Sequence, residues 1–176
     1  EMQTENNLRE ENIELQRYVS VTKDLFCIFS FGGKIIKINR AWRESLGYND
    51  SQMIGKSIFE IIVNDDVYAT KFAISESVKS GGLDKFVNRV LNHKGIVHYY
   101  EWRVKVFENS IYASGRDISD LIMTREKLEY YHNRDALTGM YQRSFIQSSS
   151  EAMVLPYQLP LSVIFVDLNG LKLIND

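Results

Sequence analysis

Leu25-Phe26-Cys27-Ile28-Phe29-Ser30-Phe31-Gly32-Gly33-Lys34-Ile35-Ile36-Lys37-Ile38-Asn39 is the stretch whose reading decides the fold. Two runs of branched and aromatic residues flank a Gly-Gly pair. Such side chains suit the pleated, half-buried surface of a strand. Glycine accepts the positive φ angles that tight hairpin turns demand. The stretch therefore predicts a β-hairpin.

Downstream the pattern shortens into helical pieces. Arg40–Leu46 is ended by Gly47, and Ser57–Val63 is introduced by Gly55-Lys56. Asn64-Asp65-Asp66 offers N-capping side chains to a longer helix reaching about Ser80, where Gly81-Gly82 stops it. Val67, Phe72, Ile74 and Val78 are its expected core face. Three more strands follow, Phe86–Leu91, Ile96–Phe107 and Ile111–Asp117, the first two joined by Asn92-His93-Lys94-Gly95. In the long one Ile96, His98, Tyr100, Trp102, Val104 and Val106 share a face by the two-residue period. Two strands, a helical middle and three strands make an α+β domain: a five-stranded antiparallel sheet with helices on one side.

Helical patterns flank this block. Residues 1–19 contain no Gly or Pro, and Leu8 and Leu15 stand seven apart with Asn12 and Val19 between and after them. This is a faint heptad, open equally to a coiled coil and to a solvated amphipathic helix. Residues 118–134 read as a second helix with Leu121, Ile122, Leu128 and Tyr131 as its apolar stripe. Nothing in it breaks a helix, so the connection is expected to be stiff and to transmit rotation or a change in pairing. The expected divisions are an N-terminal helix (1–19), the α+β domain (20–117), a signalling helix (118–134) and the start of a further domain (135–176).

Composition narrows the function classes. The chain of 176 residues carries a formal net charge of −2 and no Lys/Arg block, which argues against nucleic acid or an anionic membrane as partner. Apolar runs such as Leu161–Val166 fall far short of the roughly 20 residues that a membrane span needs. The polar, acidic N-terminus does not read as a signal peptide. The one cysteine, Cys27, fits a reducing, cytoplasmic setting.

The order of elements resembles the PAS fold, over about residues 18–120. The resemblance is carried by Ile38-Asn39-Arg40-Ala41-Trp42 before Leu46-Gly47-Tyr48, by Ile54-Gly55-Lys56-Ser57 and by Tyr100-Glu101-Trp102. Gly115-Arg116-Asp117-Ile118-Ser119 is similar to the D-I-T ending from which a PAS domain launches its output helix. PAS domains are sensory and dimerising modules, which the resemblance extends to this chain as an expected homodimer through the domain and its flanking helices.

After the signalling helix, Asp135-Ala136-Leu137-Thr138-Gly139-Met140-Tyr141-Gln142-Arg143-Ser144-Phe145 resembles the D-x-L-T-G-L-x-N-R-x-x-F opening of GGDEF (diguanylate cyclase) domains. Asp135 and Thr138 can bond local backbone at a turn, and Gln142 replaces the usual Asn. A helix to about Val154 and a Pro156–Pro160 loop then lead to Leu161–Val166, read as a strand buried on both faces. Asp167 ends that strand, where carboxylates of α/β sheets are placed to hold a metal. Asp167 through Asp176 is similar to the D-x-D-x-F-K-x-x-N-D motif of diguanylate cyclases. By that resemblance Asp167, helped by the Leu168 carbonyl, holds Mg²⁺. Asn169, Gly170, Leu171 and Lys172 cradle the GTP phosphates, and Asn175 contacts guanine. Asn169 stands at the family's second acidic position and Leu171 at its Phe. The GG(D/E)EF turn that completes the metal cluster lies outside these 176 residues, so the chain by itself is expected to make no cyclic di-GMP.

Three readings follow. The domain is a sensor for a cyclase that joins two GTP molecules. Alternatively, it serves a degenerate GTP-binding GGDEF domain that regulates a cyclic di-GMP phosphodiesterase. The third is a ligand-free PAS interaction module. Cys27 lies on a strand without the helix motif of flavin photoreceptors, and the Asp66–Ser80 segment has no His to ligate iron, so flavin and haem are both disfavoured. Trp42, Tyr68, Tyr100 and Trp102 are candidate pocket aromatics, more readily read as core.

Overall fold

The quoted hairpin forms, with β1 at Leu25–Ser30 and β2 at Ile35–Ile38 in antiparallel register. Gly33 makes the turn possible: its φ is +83°, its N–H donates to Ser30 O at 2.8 Å, and a side chain there would strike the Phe59 ring. This computed structural model describes residues 21–153 together with residues 13, 17, 19, 162, 164 and 166. It divides into two units, Glu1–Thr124 and Arg125–Asp176.

In the first unit β3 (Gly82–Leu91), β4 (Val97–Phe107) and β5 (Ser110–Asp117) complete the sheet, in the order β2-β1-β5-β4-β3 and antiparallel throughout. The first and last strands in sequence thus meet in the middle. β3 begins four residues before the expected Phe86, because Gly82 and Leu83 pair with Lys105 and Val104 across an irregularity before Phe86. Ile96 lies outside the strand and is 56% exposed; Tyr100, Trp102 and Val104 are the buried members of the expected face.

Between β2 and β3 lie a wide π-type turn at Trp42–Leu46, the short helix α1 (Asp50–Met53), a 3₁₀ turn at Ile58–Ile61 and the long helix α2 (Asn64–Ser80). The motif around Asn39 closes onto β1. Asn39 Oδ1 accepts from Phe26 N at 2.9 Å and Asn39 Nδ2 donates to Asp24 O at 3.0 Å. Trp42 Nε1 donates to Phe26 O at 3.0 Å, and the Trp42 side chain is fully buried.

Two expectations for α2 are corrected. Its N-cap is Val63, whose apolar side chain can make no cap bond, and Asp66 turns instead to the edge strand and accepts from Arg89 N, Nε and Nη2. Its core face consists of Thr70 and Ser77, with Ile74 and Val78 packed alongside, while Phe72 is 60% exposed. Small polar residues can sit inward because their hydroxyls bond the helix's own carbonyls, Thr70 Oγ1 to Asp66 O and Ser77 Oγ to Ile74 O, each at 2.7 Å.

Upstream, residues 13, 17, 19 and 21 are helical; the rest of the expected N-terminal helix lies outside the described residues. After β5, α3 (Ser119–Asn133) runs unbroken and buries none of its residues. In the second unit α4 (Arg143–Met153) is helical as expected. Residues 162, 164 and 166 are in no strand, and Ile164 and Val166 are 86% and 82% exposed, against the buried strand expected there. A strand buried on both faces needs flanking strands for its ladder, and the described residues supply none beside it. Among the described residues no helix is long and apolar enough to cross a membrane.

Candidate functional site

The inner face of the sheet and α2 enclose a small apolar cavity of about 40 Å³. β1 contributes Cys27 and Phe29 to its wall, β3 contributes Phe86 and Asn88, and α2 contributes Thr70 and Ile74. A polar chain crosses this wall. Trp102 Nε1 donates to Asn88 Oδ1 at 2.8 Å, Asn88 Nδ2 donates to Thr70 Oγ1 at 3.1 Å, and Thr70 passes the chain to Asp66 O. The buried amide and hydroxyl are thereby satisfied, which is what lets them sit in an apolar core. Asn88 and Thr70 escaped the sequence reading. The available signal was the alternation Phe86, Asn88, Val90, which puts an amide inward.

Of the four candidate aromatics, Trp102 alone lines the cavity. Trp42 and Tyr100 are fully buried in the core, and Tyr68 on α2 is 82% exposed. Tyr100 packs on Trp102 with ring centroids 5.7 Å apart, and its buried hydroxyl meets no hydrogen-bond geometry among the described residues. Burial first, then the negative charges of Asp117 and Asp24, hold its phenol above the ordinary range. Burial likewise pushes the Cys27 thiol up to about 12.

The exit from the sheet is tightly bonded. Asp117 Oδ1 accepts the Ser119 N–H that opens α3 at 2.8 Å, and Asp117 Oδ2 lies 3.1 Å from His98 Nδ1. Ser119 Oγ accepts from Tyr99 N at 2.9 Å, and Ile118 N donates to Tyr99 O at 2.8 Å. The Asp-Ile-Ser triplet therefore ties the first turn of α3 to β4.

In the second unit, Asp135 Oδ1 accepts from Leu137 N, Thr138 N and Thr138 Oγ1 at 3.2, 2.9 and 2.9 Å. Bonds from the Thr138 backbone and hydroxyl hold its carboxyl below the usual range. This is the local turn chemistry expected of Asp135 and Thr138. Gln142 Nε2 donates to Arg134 O at 2.9 Å, and the Arg134 guanidinium lies over Tyr141 at 4.1 Å and Tyr130 at 4.9 Å. Asp167, Leu168, Asn169, Gly170, Leu171, Lys172 and Asn175 lie outside the described residues. Among the described residues no group of three or more His, Cys, Asp or Glu is placed to hold a metal.

The sheet order, the helical cover on one face and the bonded Asp117–Ser119 exit define a sensory-domain architecture of the PAS type. The PAS fold family model matches residues 14–124, and the chain belongs to that family. It is 23% identical over 172 residues to the cyclic di-GMP phosphodiesterase PdeR of Escherichia coli (strain K12), a match covering 92% of this chain and 26% of that protein. The chain thus spans about a quarter of the length of that relative. The PAS domain of an HTR-like protein from Haloarcula marismortui superposes with a TM-score of 0.58 at 23% identity, over 67% of this chain and all of that one. The PAS domain of the quorum-sensing receptor RpfR from Cronobacter turicensis, in complex with BDSF, gives a TM-score of 0.50 at 21% identity over 55% of this chain and 95% of that one. Both share the fold.

Proposed function

We propose that this PAS domain is the sensory and dimerising module of a signalling protein that acts in cyclic di-GMP turnover. Its output on this reading is the GGDEF domain that opens at Asp135, and the site of action is the cytoplasm. The observation that carries the proposal is the Asp117–Ser119 exit. It joins the sheet to a helix that runs unbroken to Asn133, next to the Asp135 turn. The match to PdeR, which covers 92% of the chain, supports the link to cyclic di-GMP.

In the cyclase form of this reading, Asp167 and the Leu168 carbonyl hold Mg²⁺, which would neutralise phosphate charge. Asn169, Gly170, Leu171 and Lys172 receive the GTP phosphates and Asn175 the guanine. Incubating the full-length protein with GTP and Mg²⁺ tests it. Cyclic di-GMP should appear and be lost in Asp167→Ala; no product, or product undiminished by the substitution, refutes the cyclase form.

The name of the relative favours a second form, in which a GTP-binding GGDEF domain regulates a phosphodiesterase. Asn169, at the family's second acidic position, agrees with it. Hydrolysis of cyclic di-GMP by the same full-length protein, accelerated by GTP, separates the two.

A further inference from the structure

His98, near the start of β4, stands between two side chains from different parts of the domain. Its Nδ1 lies 3.1 Å from Asp117 Oδ2, and its Nε2 lies 3.5 Å from Asn92 Nδ2. Asp117 Oδ1 at the same time accepts the Ser119 N–H that opens α3. Asn92 belongs to the β3–β4 connection, where its Oδ1 accepts from Lys94 N and Ile96 N, each at 2.9 Å. One imidazole therefore links the turn after β3 to the first turn of α3.

These bonds fix the proton on the ring. Two backbone donors hold Asn92 Oδ1, so the amide cannot flip and presents its N–H group to His98 Nε2. Nε2 must then accept, which leaves the proton of the neutral ring on Nδ1, donated to Asp117. A second proton has only Nε2 to go to, where it meets the Asn92 N–H group head-on. Protonation therefore breaks the Asn92 contact and turns the Asp117 bond into one with charge on both partners.

The neighbours leave the change of charge to His98. β3 faces it with Val90, its cross-strand partner, and leads into Asn92; neither titrates, and the charged Arg89 between Asn88 and Val90 is bound to Asp66. β5 contributes Asp117. The acid in the first turn of α3, Asp120, is exposed. On β4, Tyr100 lies on the same face, opposite Asp117. Its phenol, held above the ordinary range by burial first and then by Asp117 and Asp24, keeps its proton at neutral pH. Histidine is the side chain that ordinarily titrates between pH 5 and 8, and carboxylates ordinarily titrate well below that range. The His98 and Asp117 side chains are 25% and 38% exposed, so solvent protons reach the pair.

We propose that His98 is a proton-responsive latch on the start of α3: the neutral ring ties Asn92 to Asp117, and the protonated ring releases Asn92 and pairs with Asp117 alone. At acid pH the first turn of α3 is held more firmly and the β3–β4 connection more loosely. What α3 then controls rests on the proposed sensory role; the latch itself does not.

Imidazole nitrogen NMR of the 176-residue chain at pH 8 tests the wiring. The neutral His98 ring should carry its proton on Nδ1, and a proton on Nε2 overturns the proposal. Amide exchange at pH 7.5 and 5.5, corrected for intrinsic rates, tests the consequence. On going to the lower pH, protection of residues 119–122 should rise about threefold, the size of a solvent-screened ion pair, while protection of residues 92–96 falls. His98→Gln should abolish both changes. His98→Arg, which stays charged, should show the acid pattern at both pH values. Protection that ignores pH in the wild type, or a response retained in either variant, overturns the latch. These readouts involve no GTP, so their failure leaves the cyclic di-GMP reading standing, and failure of the full-length assay leaves the latch standing.

Discussion

The six-membered ring of Trp102 occupies the space that a side chain at Gly115 would need. The two residues are cross-strand partners on β4 and β5, and a Cβ on Gly115 would lie 2.5 Å from Trp102 Cζ3 and 2.7 Å from Cε3. The same indole donates to Asn88 on β3, so its position registers three strands at the cavity wall. Gly115→Ala forces the ring off Gly115 and strains the bond to Asn88. Overpacking of this kind costs about 1–3 kcal/mol. Urea unfolding should show a lower midpoint with an unchanged slope; wild-type stability in this variant would contradict the packing described.

Asp66 and Arg89 form an ion pair whose contribution to stability depends on acid pH. The Arg89 side-chain hydrogen bonds, followed in the same direction by its backbone bond and its charge, hold the Asp66 carboxyl below its ordinary value. A carboxyl depressed in the folded state stabilises fully above its unfolded value, about 3.9. That stability is lost as pH falls through the lower folded value. Asp66→Asn should reduce the melting temperature at pH 7 and flatten its fall below about pH 4. Melting curves from pH 7 to 2 check both, and parallel curves for the two proteins would contradict the assignment.

Cys27 should be inert while the domain is folded. Burial raises its thiol to about 12, so the thiolate that reacts is scarce at neutral pH, and the sulfur is also shielded from reagents. A thiol-specific chromogenic reagent at pH 8 should modify the native protein at least about a hundredfold more slowly than the urea-unfolded protein. Comparable rates would place Cys27 at the surface.

Asp117 holds the start of α3. Asp117→Ala removes the acceptor for Ser119 N and leaves His98 without its carboxylate partner. A lost bond of this kind is worth about 1 kcal/mol, so amide exchange at residues 119–122 should speed roughly fivefold while exchange in β1 is unchanged. Exchange by mass spectrometry at peptide resolution measures it. A uniform increase across the domain would show global destabilisation instead.

Much of the fold was legible in the sequence because its signals are local. Gly33 marks the hairpin, Gly81 the end of α2, and alternation marks β4; each reflects a constraint of a few neighbouring residues. Asp135 and Thr138 were legible for the same reason, since an Asx turn needs only residues two and three positions away. What escaped was contact across long sequence separations. Asp66 reads as a capping residue until Arg89, 23 residues later, is brought beside it. Phe72 reads as core until α2 settles with Thr70 and Ser77 inward.

The hairpin at residues 25–39 shows the division most plainly. Sequence alone determined that two strands would form there and turn at the Gly32-Gly33 pair, because side-chain shape and backbone φ limits act within the segment. Tertiary structure decided that β1 would pair with β5 on its other edge, with Ile28 opposite Tyr112. That pairing puts Cys27 against the inner cavity and lets Phe26, Ile28 and Tyr112 line a hollow on the outer face. Strand pairing of this range is fixed by burial of the whole inner face at once, a balance no single segment carries.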